Sequence, residues 1–172
     1  MARPPLSLKA RAIGLLAQRE QSRTELKRKL LAIERQRLAA AVAAGVAPSM
    51  AEADPDAADG ELSEQVDALL DALAAEGYLS EARFVESRLH QRAQRFGLQR
   101  IQQELSQHGL ALDPEQQQAL RGTELSRARE VRCRRFGDAL PTERTEQARQ
   151  MRFLLARGFS GDVARRALRP TE

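Results

Sequence analysis

Three times along this chain a leucine is followed, four residues on, by a glycine and then by a large apolar residue. The sets are Leu73–Gly77–Tyr78, Leu105–Gly109–Leu110 and Leu154–Gly158–Phe159. A glycine so placed can take the left-handed conformation that ends a helix, and the apolar residue after it can fold back on the last turn. A second echo joins Arg95-Phe96-Gly97 to Arg135-Phe136-Gly137. Repeated helix stops of one form constrain the chain to tandem helical units. Composition agrees: 42% of residues are hydrophobic but only 3% are aromatic. Good helix formers dominate, and the β-branched and aromatic residues that strands need are scarce.

The apolar spacing predicts nine helices. The first carries Leu8, Ala12, Leu15 and Leu16; the second follows the capping box Ser22-Arg-Thr-Glu25 with Leu26, Leu30 and Ile33. The third carries Leu62, Val66, Leu69, Leu70 and Leu73, and the fourth, capped by Ser80, carries Val85, Leu89, Ala93 and Phe96. The fifth holds Leu98, Ile101 and Leu105. A short sixth opens at Asp113-Pro114-Glu115-Gln116 and stops near Gly122, and a seventh runs from Thr123 to Gly137. An eighth opens at Pro141-Thr142, and a ninth is capped by Ser160. We therefore expect an all-α fold, an elongated array of three tandem three-helix repeats. Their bounds are residues 1–79, with an acidic insertion at about 36–60, then 80–121 and 122–172. Within the insertion, residues 45–60 read as a mobile acidic loop.

Several chemistries are excluded or left without support. One cysteine, Cys133, forms no disulfide framework and no thiolate zinc site. The longest charge-free run, Leu38 to Ala51, is broken by Gly45 and Pro48 and is too short for a bilayer. The N-terminus lacks the apolar stretch of a signal peptide, so a cytoplasmic place is expected. No phosphate loop, dinucleotide fingerprint or zinc-protease helix occurs. His90 and His108 read as surface histidines, and no cofactor or metal is expected. Arg132, Arg134 and Arg135 could lower the Cys133 pKa, but no histidine is near it in sequence to serve as a base. The phenylalanines fall at core-like positions rather than at stacking platforms.

Charge is the remaining signal. Residues 1–37 hold 10 basic and 3 acidic groups, residues 38–82 hold 10 acidic and none basic, and residues 83–172 hold 18 basic and 11 acidic. All but three of the 28 cations are arginine, whose planar fork suits carboxylates and phosphates. Arg88, Arg92 and Arg95 fall at i, i+4 and i+7 on a flank of the fourth helix, and Arg100 follows in the fifth. Arg149 with Arg152, and Arg23 with Lys27, make similar pairs. They form either solvated faces balanced by local acids or a surface for a polyanionic or acidic partner.

The chain resembles the RecX family, regulators of the RecA recombinase. The residues that carry the likeness are Ser22-Arg-Thr-Glu-Leu-Lys-Arg-Lys-Leu30, Gly77-Tyr-Leu-Ser-Glu-Ala-Arg-Phe84, Gly97-Leu-Gln-Arg-Ile-Gln-Gln-Glu-Leu105 with Gly109, and Phe153-Leu-Leu-Ala-Arg-Gly-Phe-Ser160. Ser80-Glu81 departs from the acidic pair common in the family, and the insertion is longer than usual. The resemblance implies a non-enzymatic regulator in DNA repair and the SOS response, and a monomer is expected. Such a protein binds the RecA–single-stranded DNA filament and impedes recombination, ATP turnover and repressor cleavage. The competing reading is a helical protein that binds DNA or RNA directly through its arginine-rich faces.

Overall fold

A computed structural model describes residues 6–45 and 55–170. Among them lie eight helices and no strand: α1 (Leu8–Leu16), α2 (Arg23–Ala43), α3 (Pro55–Ala75), α4 (Glu81–Arg92), α5 (Leu98–Ser106), α6 (Pro114–Phe136), α7 (Arg144–Ala156) and α8 (Gly161–Ala167). The all-α expectation holds. The chain divides into two compact units, Met1–Phe84 and Val85–Glu172, with the boundary inside α4.

The glycine stops take one form. Gly77, Gly109 and Gly158 have φ of +79°, +74° and +80°. After each, the next N–H donates to the carbonyl of the leucine: Tyr78 to Leu73 at 2.9 Å, Leu110 to Leu105 at 3.0 Å, Phe159 to Leu154 at 3.2 Å. Each glycine N–H also reaches the residue after that leucine, which completes the paired bonds of a Schellman end. The three leucines are buried, but only Phe159 follows them fully into the core. Tyr78 stays exposed, and Leu79 enters the core instead.

In the first unit, α2 packs against both α1 and α3. The shared core is Ala12, Leu26, Leu30, Val66, Leu70 and Leu73, closed by Leu79. Ser22 Oγ accepts the Glu25 N–H at 3.1 Å, as the capping box requires. The buried Glu25 carboxylate is held by Arg19 and by Lys29, the latter at 3.0 Å. The loop expected over residues 45–60 is corrected on its C-terminal side. Residues 46–54 lie outside the described residues, but α3 starts at Pro55 and runs through Gly60. Proline is tolerated in the first turn, and Arg35 on α2 ties Asp59 at 2.8 Å, which anchors a turn that Gly60 would weaken.

In the second unit, α6 packs against α5, α7 and α8. Its core includes Ala128, Val131, Leu154, Phe159, Ala164 and Ala167. The expected sixth and seventh helices are one, because Gly122 does not break α6. Contacts just C-terminal to that glycine hold the helix in place. The Glu124 carboxylate accepts the Leu98 N–H at 2.9 Å; Arg127 donates to the Leu120 carbonyl at 2.8 Å and to Ala93 and Phe96 at 2.7 and 2.8 Å. Burial lowers the Arg127 pKa, and the Glu124 charge opposes that. The expected eighth helix also starts later, at Arg144, while the Gln147 amide occupies the Pro141 carbonyl.

Two turns of this unit meet backbone to backbone. The Gly97 N–H donates to the Arg157 carbonyl at 2.9 Å, and the Gln99 N–H to the Gly158 carbonyl at 3.2 Å. A Cβ on Gly97 would stand 2.2 Å from the Gly158 carbonyl oxygen, and one on Gly158 would stand 2.4 Å from Arg100 Cβ. Neither position has room for a side chain. Gly97→Ala is therefore expected to destabilise the second unit by about 2 kcal/mol or more, the scale of forced overpacking. Gly122→Ala, in open space inside α6, should stabilise it by about 1 kcal/mol. Urea unfolding of both variants checks the pair, and equal effects would refute the contact's role.

A second prediction concerns Glu25. Burial raises its pKa, but hydrogen bonds and charge from Arg19 and Lys29 outweigh burial and hold it at about 2. A depressed carboxyl stabilises the fold above its unfolded value and loses that effect as pH falls through the folded one. Glu25→Gln should cost about 2 kcal/mol at neutral pH. That gap should close as pH drops from about 4.5 to about 2; pH-dependent unfolding would show it.

Candidate functional site

Opposed charge blocks in the first unit prove to be each other's partners. Lys9 reaches Glu76 at 2.7 Å, Arg23 reaches Asp71 at 2.6 Å, and Lys27 reaches Asp67 at 2.6 Å. Arg35 holds Asp59, and Arg83 holds Glu20 at 2.7 Å. The basic face of α2 thus lies against the acidic face of α3. Arg23 and Lys27, expected as partner-binding cations, are engaged inside their own unit. With 11 basic and 13 acidic residues, this unit carries a net charge of −2.

The second unit holds 17 basic and 11 acidic residues, a net +6. Arg92 Nε lies 3.0 Å from the Glu104 carboxylate of α5, a neighbour that the local spacing of acids did not reveal. Arg88 shares a small cleft with Arg92, Glu104 and His108. Since α4 ends at Arg92, Arg95 sits in the following turn rather than on the same helical face. Arg100 is exposed beside the Gly158 turn. Arg149 pairs with Glu146 at 3.1 Å, and Arg152 reaches the Ala148 carbonyl at 3.4 Å; both are exposed. Six of the eight expected residues therefore belong to the unit with surplus positive charge.

The structure adds arginines that the sequence reading did not select. Phe84 and Phe159 are buried, as expected for core, but Phe96, Phe136 and Phe153 are only half-buried and lie beneath guanidinium groups. Arg157 sits 4.4 Å from the Phe153 centroid and 5.9 Å from that of Phe96. Arg92 and Arg95 lie 5.5 and 5.9 Å from the Phe96 centroid. Arg149 and Arg135 lie 5.2 and 5.9 Å from that of Phe136, which meets Phe153 edge-on at 5.0 Å. Each ring attracts cations through its negative face. The Arg-Phe-Gly echo was the sequence signal for this cluster. It marks Arg95 and Arg135 but gives no hint of Arg157.

The arginines around Cys133 do not bring its pKa down. Its thiol donates to Asp138, which raises the pKa despite the neighbouring Arg132. Among the described residues no three metal-ligating side chains cluster, and no helix is long and apolar enough to cross a membrane.

Comparison with known proteins adds a family. Residues 80–113 match the model of the second three-helix domain of RecX, and residues 123–168 match that of the third. The first match ends one residue before α6, and the other begins partway along it. A protein of Leptothrix cholodnii named regulatory protein RecX is 47% identical over 97% of this chain and 90% of its own length. Proteins of the same name from Ralstonia nicotianae and Ectopseudomonas mendocina are 41% and 40% identical, over 98% and 96% of this chain and 90% and 95% of theirs.

Proposed function

We propose a function from one premise: this chain belongs to the RecX family. Members of that family are regulatory proteins rather than enzymes. The chain, on this reading, binds the RecA filament on single-stranded DNA as a cytoplasmic monomer and slows its ATP turnover, recombination and coprotease activity. The observation that carries it is the near full-length likeness to proteins named regulatory protein RecX. The charge distribution supports it, because a cation surplus confined to the second unit suits an acidic or phosphate-bearing partner. Arg88, Arg92, Arg95, Arg100, Arg149 and Arg152 make the main contacts. Arg23 and Lys27 contribute less, since Asp71 and Asp67 already hold them. The repeats divide at residues 1–79, 80–121 and 122–172, with α6 shared by the second and third.

Substoichiometric protein should slow the DNA-dependent ATPase of RecA. An unchanged rate with excess folded protein would overturn the reading. Replacing Arg88, Arg92 and Arg95 together with alanine should weaken filament binding by more than about tenfold, or about 1.4 kcal/mol. Thermal stability should shift little, because Arg92–Glu104 is a partly exposed pair and such pairs are worth about 0–1 kcal/mol. Wild-type inhibition by the triple variant would remove these residues from the interface.

A further inference from the structure

The second unit contains a shallow cleft of about 220 Å³ lined by Arg95, Arg134, Arg135 and Arg157, together with Val131 and Phe153. It is smaller than the roughly 300 Å³ at which pockets for organic ligands begin. Its charge is nearly uncompensated. Arg134 has Glu130 at 3.8 Å and donates to the Gln94 carbonyl at 2.7 Å. Among the described residues, no carboxylate lies within 4.0 Å of the Arg95, Arg135 or Arg157 guanidinium groups.

Each of the three lies near an aromatic ring instead, Arg157 most closely. Arg157 lies over Phe153, Arg95 over Phe96 and Arg135 over Phe136. A cation held on a ring face is fixed in place without spending its N–H donors. Arg157 shows the consequence most clearly: its Nε is buried and has no hydrogen-bond partner among the described residues. A desolvated donor in that state is costly until an acceptor arrives. The Gly97 N–H bond to the Arg157 carbonyl also ties the Arg157 backbone to the turn that carries Arg95.

From this geometry we propose that the Arg95–Arg134–Arg135–Arg157 cleft binds phosphoryl groups. Four guanidinium groups around one small cleft raise its positive potential and favour an anion between them. A carboxylate offers two oxygens, whereas a phosphoryl group brings more acceptors and suits several planar forks at once. The ligand is a free polyphosphate or the backbone of a nucleic-acid strand. The inference deepens the reading above by assigning the second unit a direct phosphate contact. Its test contains no recombinase, so either idea fails without the other.

The full chain, labelled at arginine, is titrated with pyrophosphate and separately with a short oligothymidylate while the side-chain Nε–H signals are followed by NMR. Saturable shifts at Arg95, Arg135 and Arg157 are expected. Saturation by pyrophosphate alone identifies a small-anion site; saturation by oligothymidylate, competed by pyrophosphate, identifies a strand backbone. Arg95→Ala with Arg135→Ala should weaken binding by more than about tenfold, while the charge-matched pair Arg165→Ala with Arg166→Ala should change it less than about twofold. Circular dichroism confirms that both variants fold. The proposal is overturned by absence of saturation with either probe, by equal weakening in the two variants, or by polyglutamate displacing pyrophosphate as well as phosphate does. The last result would assign the cleft to an acidic protein instead.

Discussion

Where the carboxylates fall decides which of the described arginines are held within the fold and which are left free. In the first unit acids slightly outnumber bases, and α3 presents Asp67 and Asp71 to Arg23 and Lys27 of α2. Such pairs are worth little each, about 0–1 kcal/mol where exposed. Their effect is on charge: they neutralise a face that the sequence alone presents as strongly basic. In the second unit the acids run short. Some arginines find a single carboxylate, as Arg92 finds Glu104 and Arg149 finds Glu146. Others are steadied by Phe96, Phe136 and Phe153 with their hydrogen-bonding edges unspent.

The packing that exposes those arginines is itself built from backbone. Gly97 and Gly158 bring two turns into contact where no side chain fits, and this fixes Arg100 and Arg157 beside them. Glu124 and Arg127 of α6 hold the same region by satisfying the start of α5 and the end of α4. Polar groups thus serve two ends in this unit. Those directed at free backbone groups make it rigid, and those left over face the solvent or a partner.

Local signals were readable from the sequence because their partners lie within one or two turns. The Schellman glycines, the Ser22 and Ser160 caps and the Asp113 box all formed where their spacing predicts. Signals that depend on which faces meet were not readable. Gly122 and Gly60 look like breakers, yet both lie inside helices, with tertiary contacts to neighbouring turns. Arg92 looked free of acids because Glu104 is on another helix. Arg157 looked ordinary because the ring beneath it, Phe153, is one of five phenylalanines that composition alone assigns to the core.

On the proposed function labour is divided: most first-unit cations are held within the fold, and second-unit arginines meet the partner. Arginine-selective footprinting with a dicarbonyl reagent, read by mass spectrometry with and without the RecA filament, tests it directly. The account predicts protection of Arg95, Arg100, Arg149 and Arg152 on binding, with Arg23 and Arg35 reacting equally in both states. Protection centred on Arg23 and Arg35, with the second-unit arginines unchanged, would contradict it.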